Sequence, residues 1–181
     1  MSLAAVILAG GASRRMGEDK ASQIWNGQRA VDIAASCARD AGAAFVMTAG
    51  ADHGLPFVLD PSPQAGPVAG VIAALPRLRA QGADRMLLLA VDAPLLRPGD
   101  LRVLAAASGA GAVYAGFPLP AALRLDAIPV DAENDWPLRR LVERAGATTL
   151  PCPEALAQRL KGANTPQDRE ALMARWANLQ D

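Results

Sequence analysis

Short apolar runs alternate with alanine-rich segments of helical spacing along most of the chain. Residues 4–8 are apolar throughout, and six consecutive apolar residues, 86–91, follow Arg85. Runs of this length without polar alternation are typical of strands that are buried on both faces of a parallel sheet. Because the segments between them predict connecting helices, the pattern favours βα units on a mostly parallel sheet.

The predicted elements follow one another closely. Gly66 and Pro67 open one helix, and Thr165, Pro166 and Asp168 mark the start of the last one, because threonine caps helices and proline fits a first turn. The segment 137–145 is interpreted as a lid or a flanking helix. Strands are predicted at 4–8, 44–48, 57–59, 85–91, 112–115 and 121–125, and helices at 30–41, 66–80, 98–108, 137–145 and 165 to about 178.

Length and composition narrow the class of protein. The 181 residues correspond to one domain, 1–181, without an internal repeat or a linker. Lys and Arg total 18, as do Asp and Glu, so no overall field attracts nucleic acid or anionic lipid. The apolar runs are far shorter than the ~20 residues of a membrane helix, so no membrane association is expected. Two cysteines, Cys37 and Cys152, are too few for a disulfide framework, which favours a cytoplasmic protein.

The stretch after the first predicted strand has the composition of a phosphate-binding loop. It reads Leu-Ala-Gly-Gly-Ala-Ser-Arg-Arg-Met-Gly-Glu-Asp-Lys over residues 8–20. Gly10 and Gly11 allow backbone N–H groups to approach phosphate oxygens closely. Neither the three-glycine Rossmann spacing nor the P-loop spacing is matched, so a different kind of nucleotide-phosphate loop is predicted. Further donors and positive charge come from Ser13, Arg14, Arg15 and Lys20.

Three other polar residues stand where a ligand could reach them. Asp92 follows the strand 85–91, and ligands of open α/β sheets bind at the carboxyl ends of strands. Mg²⁺ takes one or two carboxylates together with substrate phosphates, so Asp92 is a candidate metal ligand, with a turn or cap residue as the alternative. Asn164, before the last helix, is either a loop residue or a polar contact near the phosphates and metal, and Asp60, before Pro61, is a candidate turn residue.

The loop resembles the signature Leu-Ala-Gly-Gly-x-Ser-x-Arg-Met-Gly-x-Asp-Lys of nucleotidyltransferases similar to molybdenum cofactor guanylyltransferase, at every fixed position. Four more stretches resemble motifs of that family in the same order. They are Asp60 with Gly-Pro-Val-Ala-Gly at 66–70, Val-Asp-Ala-Pro-Leu-Leu at 91–96, Pro-Leu-Pro-Ala-Ala-Leu at 118–123 and Asn-Thr-Pro-Gln-Asp at 164–168. The resemblance implies a single-domain, Rossmann-like three-layer sandwich of the nucleotide-diphospho-sugar transferase type.

The resemblance also implies an activity. GMP would pass from GTP to the terminal phosphate of molybdopterin, with Mg²⁺ as cofactor and pyrophosphate as the leaving group. The implied partners are these small molecules, with transient contacts to a molybdoenzyme or to other cofactor-biosynthesis proteins left open. Arg15 and Lys20 would hold the β- and γ-phosphates, Asp92 the metal, and Asp60 the base or ribose. The implied nucleotide contacts also include Leu8, Ala9, Gly10, Gly11, Ser13 and Thr48, and Asn164 would lie near the phosphates and metal.

Two departures from the family pattern bear on the base and on the metal. Thr48 stands where the family commonly has an asparagine against guanine, and a hydroxyl lacks the paired donor and acceptor of an amide. Gly162 stands where many relatives have the first asparagine of Asn-x-Asn, so one polar contact near the metal is missing. Because of Thr48, a second hypothesis stays open: the protein is a cytidylyltransferase that acts on molybdopterin or on a sugar-alcohol phosphate. A non-catalytic nucleotide-binding module is the third hypothesis, which Lys20 and Asp92 argue against.

The remaining reactive residues are expected to carry no chemistry. His53 lies between Asp52 and Gly54 and is predicted to be a solvated loop residue. Neither cysteine has a base within reach in the sequence, so a catalytic thiol is not expected. The basic run 139–144 is interpreted as a solvated helix face, with the phosphate of a second substrate as the alternative contact.

Overall fold

The computed structural model of the chain describes residues 2–10, 19–62, 65–163 and 165–177. The strands in these ranges are β1 (Leu3–Leu8), β2 (Ile24–Trp25), β3 (Gln28–Arg29), β4 (Phe45–Gly50), β5 (Phe57–Leu59), β6 (Arg85–Ala90), β7 (Gly111–Tyr114), β8 (Ala121–Arg124) and β9 (Thr148–Leu150). The helices are α1 (Ala30–Asp40), α2 (Pro67–Ala80), α3 (Pro98–Ala106), α4 (Leu138–Arg144), α5 (Glu154–Leu160) and α6 (Pro166–Ala177), and 3-10 turns cover Lys20–Ser22 and Leu125–Ala127.

A mixed sheet in the order β5-β4-β1-β6-β8-β7-β9 forms the centre of the molecule. The pairs β5-β4, β4-β1, β1-β6 and β7-β9 are parallel, whereas β8 runs antiparallel to both of its neighbours. The chain leaves β1 towards β4 and later returns to the other side of β1 as β6. A reversal of this kind leaves a crevice at the carboxyl ends of the strands, where α/β proteins bind ligands.

Helices cover both faces of the sheet, so the molecule has three layers. In β1, Ala5 and Ile7 point to one face and Ala4 and Val6 to the other, and all four are fully buried. The first face packs against α1, α3, α5 and α6, and the second against α2 and α4. Burial on both faces explains why the central strands read as continuous apolar runs. The predicted three-layer α/β fold with a mostly parallel sheet is confirmed.

The predicted strands and helices are present within about two residues of their expected bounds, but three features were not predicted. These are the β2–β3 hairpin, strand β9 and helix α5. Helix α4 is a flanking helix: it contacts α2 and buries Leu141 and Val142. Its Arg140 and Arg144 guanidinium groups lie 4.1 and 5.3 Å from the centre of the Trp136 ring. None of the described helices is both long and apolar enough to cross a membrane.

Candidate active site

Four parallel strands end side by side at one edge of the sheet. Leu8 of β1 is level with Ala49 of β4 and with Ala90 of β6, and Gly50 of β4 is level with Leu59 of β5. The residues that follow these strand ends are therefore brought to one edge, although they lie far apart in sequence. From β5 to β6, the residues at this edge are Asp60, Gly50, Gly10 and Asp92.

Lys20 and Asp92 form an ion pair at this edge. The Lys20 Nζ lies 3.5 Å from Asp92 Oδ2, and the two side chains keep 24% and 28% of their surface exposed. Because the pair is partly open to solvent, both charges remain accessible to a ligand. The structure thus brings together the end of the phosphate-loop motif and the candidate metal ligand, as a shared site requires.

Asp19 positions the 3-10 turn that begins at Lys20. Its Oδ1 accepts a hydrogen bond from the Ala21 N–H at 3.1 Å, and its Oδ2 accepts one from the Ser22 hydroxyl at 2.8 Å. A side-chain cap of this kind satisfies a backbone donor that the turn itself leaves without a partner. Asp19 was assigned no role from the sequence, although an aspartate directly before a turn is a recognised capping signal.

The loops after β1 and β4 touch through their backbones. The Ala9 and Gly10 N–H groups both donate to the Ala49 carbonyl, at 2.9 and 3.0 Å. A Cβ on Gly50 would overlap the backbone N and Cα of Gly10, so no side chain fits between the loops. Leu8 and Ala9, at the start of the expected nucleotide cradle, are partly exposed. Since the N–H groups of Ala9 and Gly10 are already bonded to Ala49, these two donors hold the loops together in this structure.

Asp60 faces the same backbone contact from the side of β5. A Cβ on Gly10 would collide with the Asp60 carboxylate, and one on Gly70, in the first turns of α2, would lie 3.5 Å from Asp60 Oδ1. The carboxylate therefore fills the space that two glycines leave. Burial raises the pKa of the Asp60 carboxyl above its ordinary value, because a low-dielectric surrounding disfavours the charged form.

Thr48 is buried below this edge. Its side chain is completely inaccessible, and its hydroxyl donates to the Ala51 carbonyl at 2.9 Å. A contact between Thr48 and a base stays a prediction, which this burial disfavours. The hydroxyl instead closes the turn that leads from β4 into the loop 51–56.

Five predicted site residues cannot be placed. Gly11, Ser13, Arg14, Arg15 and Asn164 lie outside the described residues, so their contacts stay predictions. The residue after Asn164 caps the last helix: the Thr165 hydroxyl accepts a hydrogen bond from the Asp168 N–H at 3.1 Å. The Thr165 N–H in turn donates to Asp168 Oδ2 at 2.9 Å. This reciprocal capping box confirms the predicted start of the last helix.

His53 is buried, so its assignment as a solvated loop residue is wrong. Only 8% of its surface is exposed, and its Nδ1 lies 3.7 Å from Asp19 Oδ2. Its Nε2 is buried and has no hydrogen-bond partner within the part of the chain that the structure describes. The loop 51–56 places the His53 imidazole beside Asp19, which directly precedes Lys20. Leu55 of the same loop packs against the core. Burial in the loop results from these tertiary contacts, which the polar neighbours Asp52 and Gly54 do not indicate.

The carboxylate of Asp92 also contacts the segment between α5 and α6. The Ala163 N–H donates to the Asp92 carbonyl at 3.0 Å, and Gly162 lies directly against the carboxylate. Helix α6 is tied to the residues after the phosphate loop, because Arg169 Nη2 donates to the Ile24 carbonyl at 3.1 Å. The segment between α5 and α6 therefore borders the site on the Asp92 side.

A single carboxylate at an open strand end suits Mg²⁺ bound together with a nucleotide. No group of three or more His, Cys, Asp or Glu side chains that could hold a metal occurs among the described residues. Mg²⁺ does not need such a group, because it takes one or two carboxylates, substrate phosphates and water. The partly exposed Asp92 carboxylate beside Lys20 fits that donor set.

A family model described as the MobA-like NTP transferase domain matches residues 5–121, well over half of the chain. The chain belongs to this family. The matched range includes Gly10, Lys20, Asp60 and Asp92, so the residues assembled at the sheet edge all lie within the family domain.

One curated relative extends the match beyond the MobA-like domain. A probable molybdenum cofactor guanylyltransferase from Opitutus terrae is 35% identical in an alignment 193 positions long, and the alignment covers 93% of this chain and 94% of the relative. The MobA-like chain is therefore a nucleotidyltransferase, and the similarity to this relative extends over nearly its whole length.

Two solved structures share the fold of this MobA-like chain. A nucleotidyl transferase from Methanothermobacter superimposes with a TM-score of 0.76 at 19% identity, over 98% of this chain and 99% of the other. Molybdopterin-guanine dinucleotide biosynthesis protein A from Archaeoglobus fulgidus gives a TM-score of 0.71 at 19% identity, over 96% and 98%. These structures confirm the predicted nucleotide-diphospho-sugar transferase type of fold.

Proposed function

We propose that this enzyme transfers GMP from GTP to the terminal phosphate of molybdopterin and releases pyrophosphate. The observation that carries the proposal is the Lys20–Asp92 pair, 3.5 Å apart at the carboxyl edge of the sheet, in a chain of the MobA-like family. The curated relative from Opitutus terrae, similar over nearly the whole chain, bears the name of a guanylyltransferase.

The order of the strands supports an extended nucleotide across their ends. Asp60 follows β5 and Asp92 follows β6, and β4 and β1 lie between them. Three strand intervals of ~4.8 Å separate the ends of β5 and β6 by roughly 14 Å along the edge, and the Asp60 side chain reaches from the end of β5 to Gly10, after β1. We place the base and ribose on the Asp60 side and the phosphates on the Lys20–Asp92 side. In this proposal Ser13 and Arg15 would join Lys20 at the phosphates, and Asn164 would make a polar contact near the phosphates and metal.

The contributions of the residues follow from their charges. Lys20 offers a compact positive charge to the β- and γ-phosphates, and Arg15 offers a planar guanidinium that binds two oxygens at once. Asp92 would hold Mg²⁺ beside the α-phosphate. A bound Mg²⁺ would neutralise charge on the phosphate oxygens. Asp60 accepts hydrogen bonds from donor groups of the base or ribose.

The transfer itself needs no general base from the protein. A terminal phosphate has a second pKa of about 6, so the acceptor is largely dianionic near neutral pH. One of its oxygens attacks the α-phosphorus, and the bond from the α-phosphorus to the bridging oxygen breaks, with its electron pair leaving on pyrophosphate. In-line transfer of this type depends mainly on positioning and charge neutralisation. The buried His53 is consistent with this account, because it is not required as a base.

The proposal is tested by pyrophosphate release with GTP, CTP and ATP, each with and without molybdopterin and Mg²⁺. We expect release only with GTP, molybdopterin and Mg²⁺ together. Asp92→Asn should abolish turnover and retain metal-free GTP binding, because the amide keeps the shape and loses the charge. Asp126→Asn is the matched control, since Asp126 is exposed and pairs with Arg124 near the opposite edge. Release with CTP instead of GTP would favour a cytidylyltransferase, and no release with any NTP would contradict the proposal.

A further inference from the structure

Gly162 lies directly on the face of the Asp92 carboxylate. A Cβ added to Gly162 would be 2.7 Å from Asp92 Cγ, 2.8 Å from Oδ2 and 3.0 Å from Oδ1. Carbon atoms in van der Waals contact are about 3.5–4.0 Å apart, so even a methyl group does not fit. The space that the carboxylate occupies therefore exists only because residue 162 has no side chain.

The backbone around Gly162 cannot easily move away from Asp92. The next residue, Ala163, is 1% exposed, and its N–H donates to the Asp92 carbonyl at 3.0 Å. Leu160, two residues earlier, is 6% exposed and belongs to the core. A retreat of the segment would break the hydrogen bond to Asp92 and expose apolar surface, so an added side chain at residue 162 would displace the carboxylate instead.

The Asp92 carboxylate is also held by Lys20, the last residue of the phosphate-loop motif. Lys20 Nζ lies 3.5 Å from Asp92 Oδ2. The carboxylate thus lies between a lysine, which attracts Oδ2, and the Gly162 backbone, which limits its rotation. Its orientation is set from two elements that are distant in sequence, the turn after the phosphate loop and the segment between α5 and α6.

We propose that Gly162 is a positioning residue, which sets the orientation of the Asp92 carboxylate by leaving room for it. This inference rests on the proposed role of Asp92 in metal and phosphate binding. It reverses what the family resemblance implies at this position. An asparagine at residue 162 would complete the Asn-x-Asn pattern and add a polar group near the metal, but in this chain its Cβ would occupy the place of the carboxylate.

The test compares Gly162→Ala and Gly162→Asn with the wild-type enzyme. We expect both variants to lower kcat at least tenfold, because displacing a reacting group by about 1 Å can cost a hundredfold in rate. Metal-free GTP binding should change by less than twofold. In a readout that does not depend on turnover, the Kd of Mn²⁺ for the complex of the protein with a non-hydrolysable GTP analogue should rise at least tenfold, measured by calorimetry.

Gly99→Ala is the matched control. Gly99 also lacks a positive φ, but a Cβ there would have nothing within 4 Å, so kcat and the Mn²⁺ Kd should stay unchanged. A second comparison protects the test from a general loss of stability. Gly162→Ala should lower Tm in the wild-type background and have less effect in an Asp92→Ala background, where the carboxylate is absent.

A wild-type kcat and Mn²⁺ Kd in Gly162→Asn would overturn the inference and leave the proposed function standing. An equal change in Tm in both backgrounds would also overturn it, because the methyl group would then act elsewhere. Failure of the proposed function would give a different result from failure of the inference about Gly162. If the wild-type enzyme binds Mn²⁺ with the analogue but transfers no GMP, the proposed function fails, while the comparison of Mn²⁺ affinities still tests Gly162.

Discussion

The backbone contact between the loops after β1 and β4 should be a large and separable contribution to stability. Gly50 has φ +113°, and a Cβ there would overlap the backbone of Gly10. Gly42 has a similar φ of +105°, but a Cβ there would have nothing within 4 Å. Comparing Gly50→Ala with Gly42→Ala therefore separates the steric contact from the backbone strain that both substitutions share.

The magnitudes follow from the two environments. A non-glycine residue at positive φ costs about 1–2 kcal/mol, which we expect for Gly42→Ala. In Gly50→Ala the loops must also separate, which breaks the hydrogen bonds from Ala9 and Gly10 to the Ala49 carbonyl. Each bond contributes about 0.5–1.5 kcal/mol, so Gly50→Ala should be less stable than Gly42→Ala by about 1–3 kcal/mol. For a chain of this size the additional fall in Tm is about 2–12 °C.

The assay is urea unfolding followed by circular dichroism, with nucleotide binding measured on the same samples. Both variants should keep the wild-type m-value, and only Gly50→Ala should also weaken GTP binding, because only Gly50 lies at the sheet edge. Equal unfolding free energies for the two variants would refute the reasoning, since the loop contact would then contribute nothing beyond the strain.

Three further substitutions have defined outcomes. Lys20→Ala should raise the activation barrier by roughly 2–4 kcal/mol without unfolding the protein, with Arg39→Ala as an exposed control; full turnover in Lys20→Ala would remove the lysine from the phosphate site. Because burial raises the pKa of Asp60, the fold loses stability as pH rises from the ordinary pKa of an aspartate through the raised one. Asp60→Asn should therefore raise Tm at pH 7, by an amount that vanishes as pH falls towards about 4, while GTP binding weakens; a lower Tm at pH 7 would contradict the burial argument. His53→Phe should change the unfolding free energy by less than about 1 kcal/mol, because Nε2 has no hydrogen-bond partner among the described residues and Nδ1 lies 3.7 Å from Asp19 Oδ2, beyond hydrogen-bond distance; a loss above about 2 kcal/mol would show that the imidazole makes a bond.

The central strands were predictable because each is a run of consecutive apolar residues, which indicates burial on both faces of a sheet. Residues 3–8 and 86–90 are apolar on both faces, and each strand ends at a polar or glycine-rich segment that starts a loop. Pairing of the strand ends followed from general rules of parallel sheets, so the location of Asp92 at the ligand edge was also predictable. The antiparallel direction of β8 was not, since a buried strand has the same apolar pattern in either direction.

The missed elements are short. Strand β9 has three residues, and the helical spacing in α5 is limited to the buried pair Leu156 and Leu160. The β2–β3 hairpin did have a local signal, the Asn26-Gly27 dipeptide, whose positive φ values of 45° and 82° are those favoured in tight hairpin turns. Its strands of two residues each gave too little alternation to be noticed.

Contacts within the site were the least predictable part. The burial of His53 and the approach of Gly162 to Asp92 both depend on segments that are distant in sequence and that the sheet brings together, whereas the cap by Asp19 is local and had a sequence signal. The polar composition of the loop 51–56 predicted a solvent-exposed His53. The histidine is buried because the loop packs against the turn at Lys20. A glycine that allows close approach has no distinguishing pattern in a single sequence.

The central claim, nucleotidyl transfer at the Lys20–Asp92 edge, is tested most directly by following the phosphate label. Wild-type enzyme and Asp92→Asn are incubated with Mg²⁺, molybdopterin and GTP labelled at either the α- or the γ-phosphate. The α-label should enter the molybdopterin product and the γ-label should leave with pyrophosphate, and both transfers should be lost in Asp92→Asn. Recovery of the γ-label as free phosphate, or normal transfer by Asp92→Asn, would contradict the account.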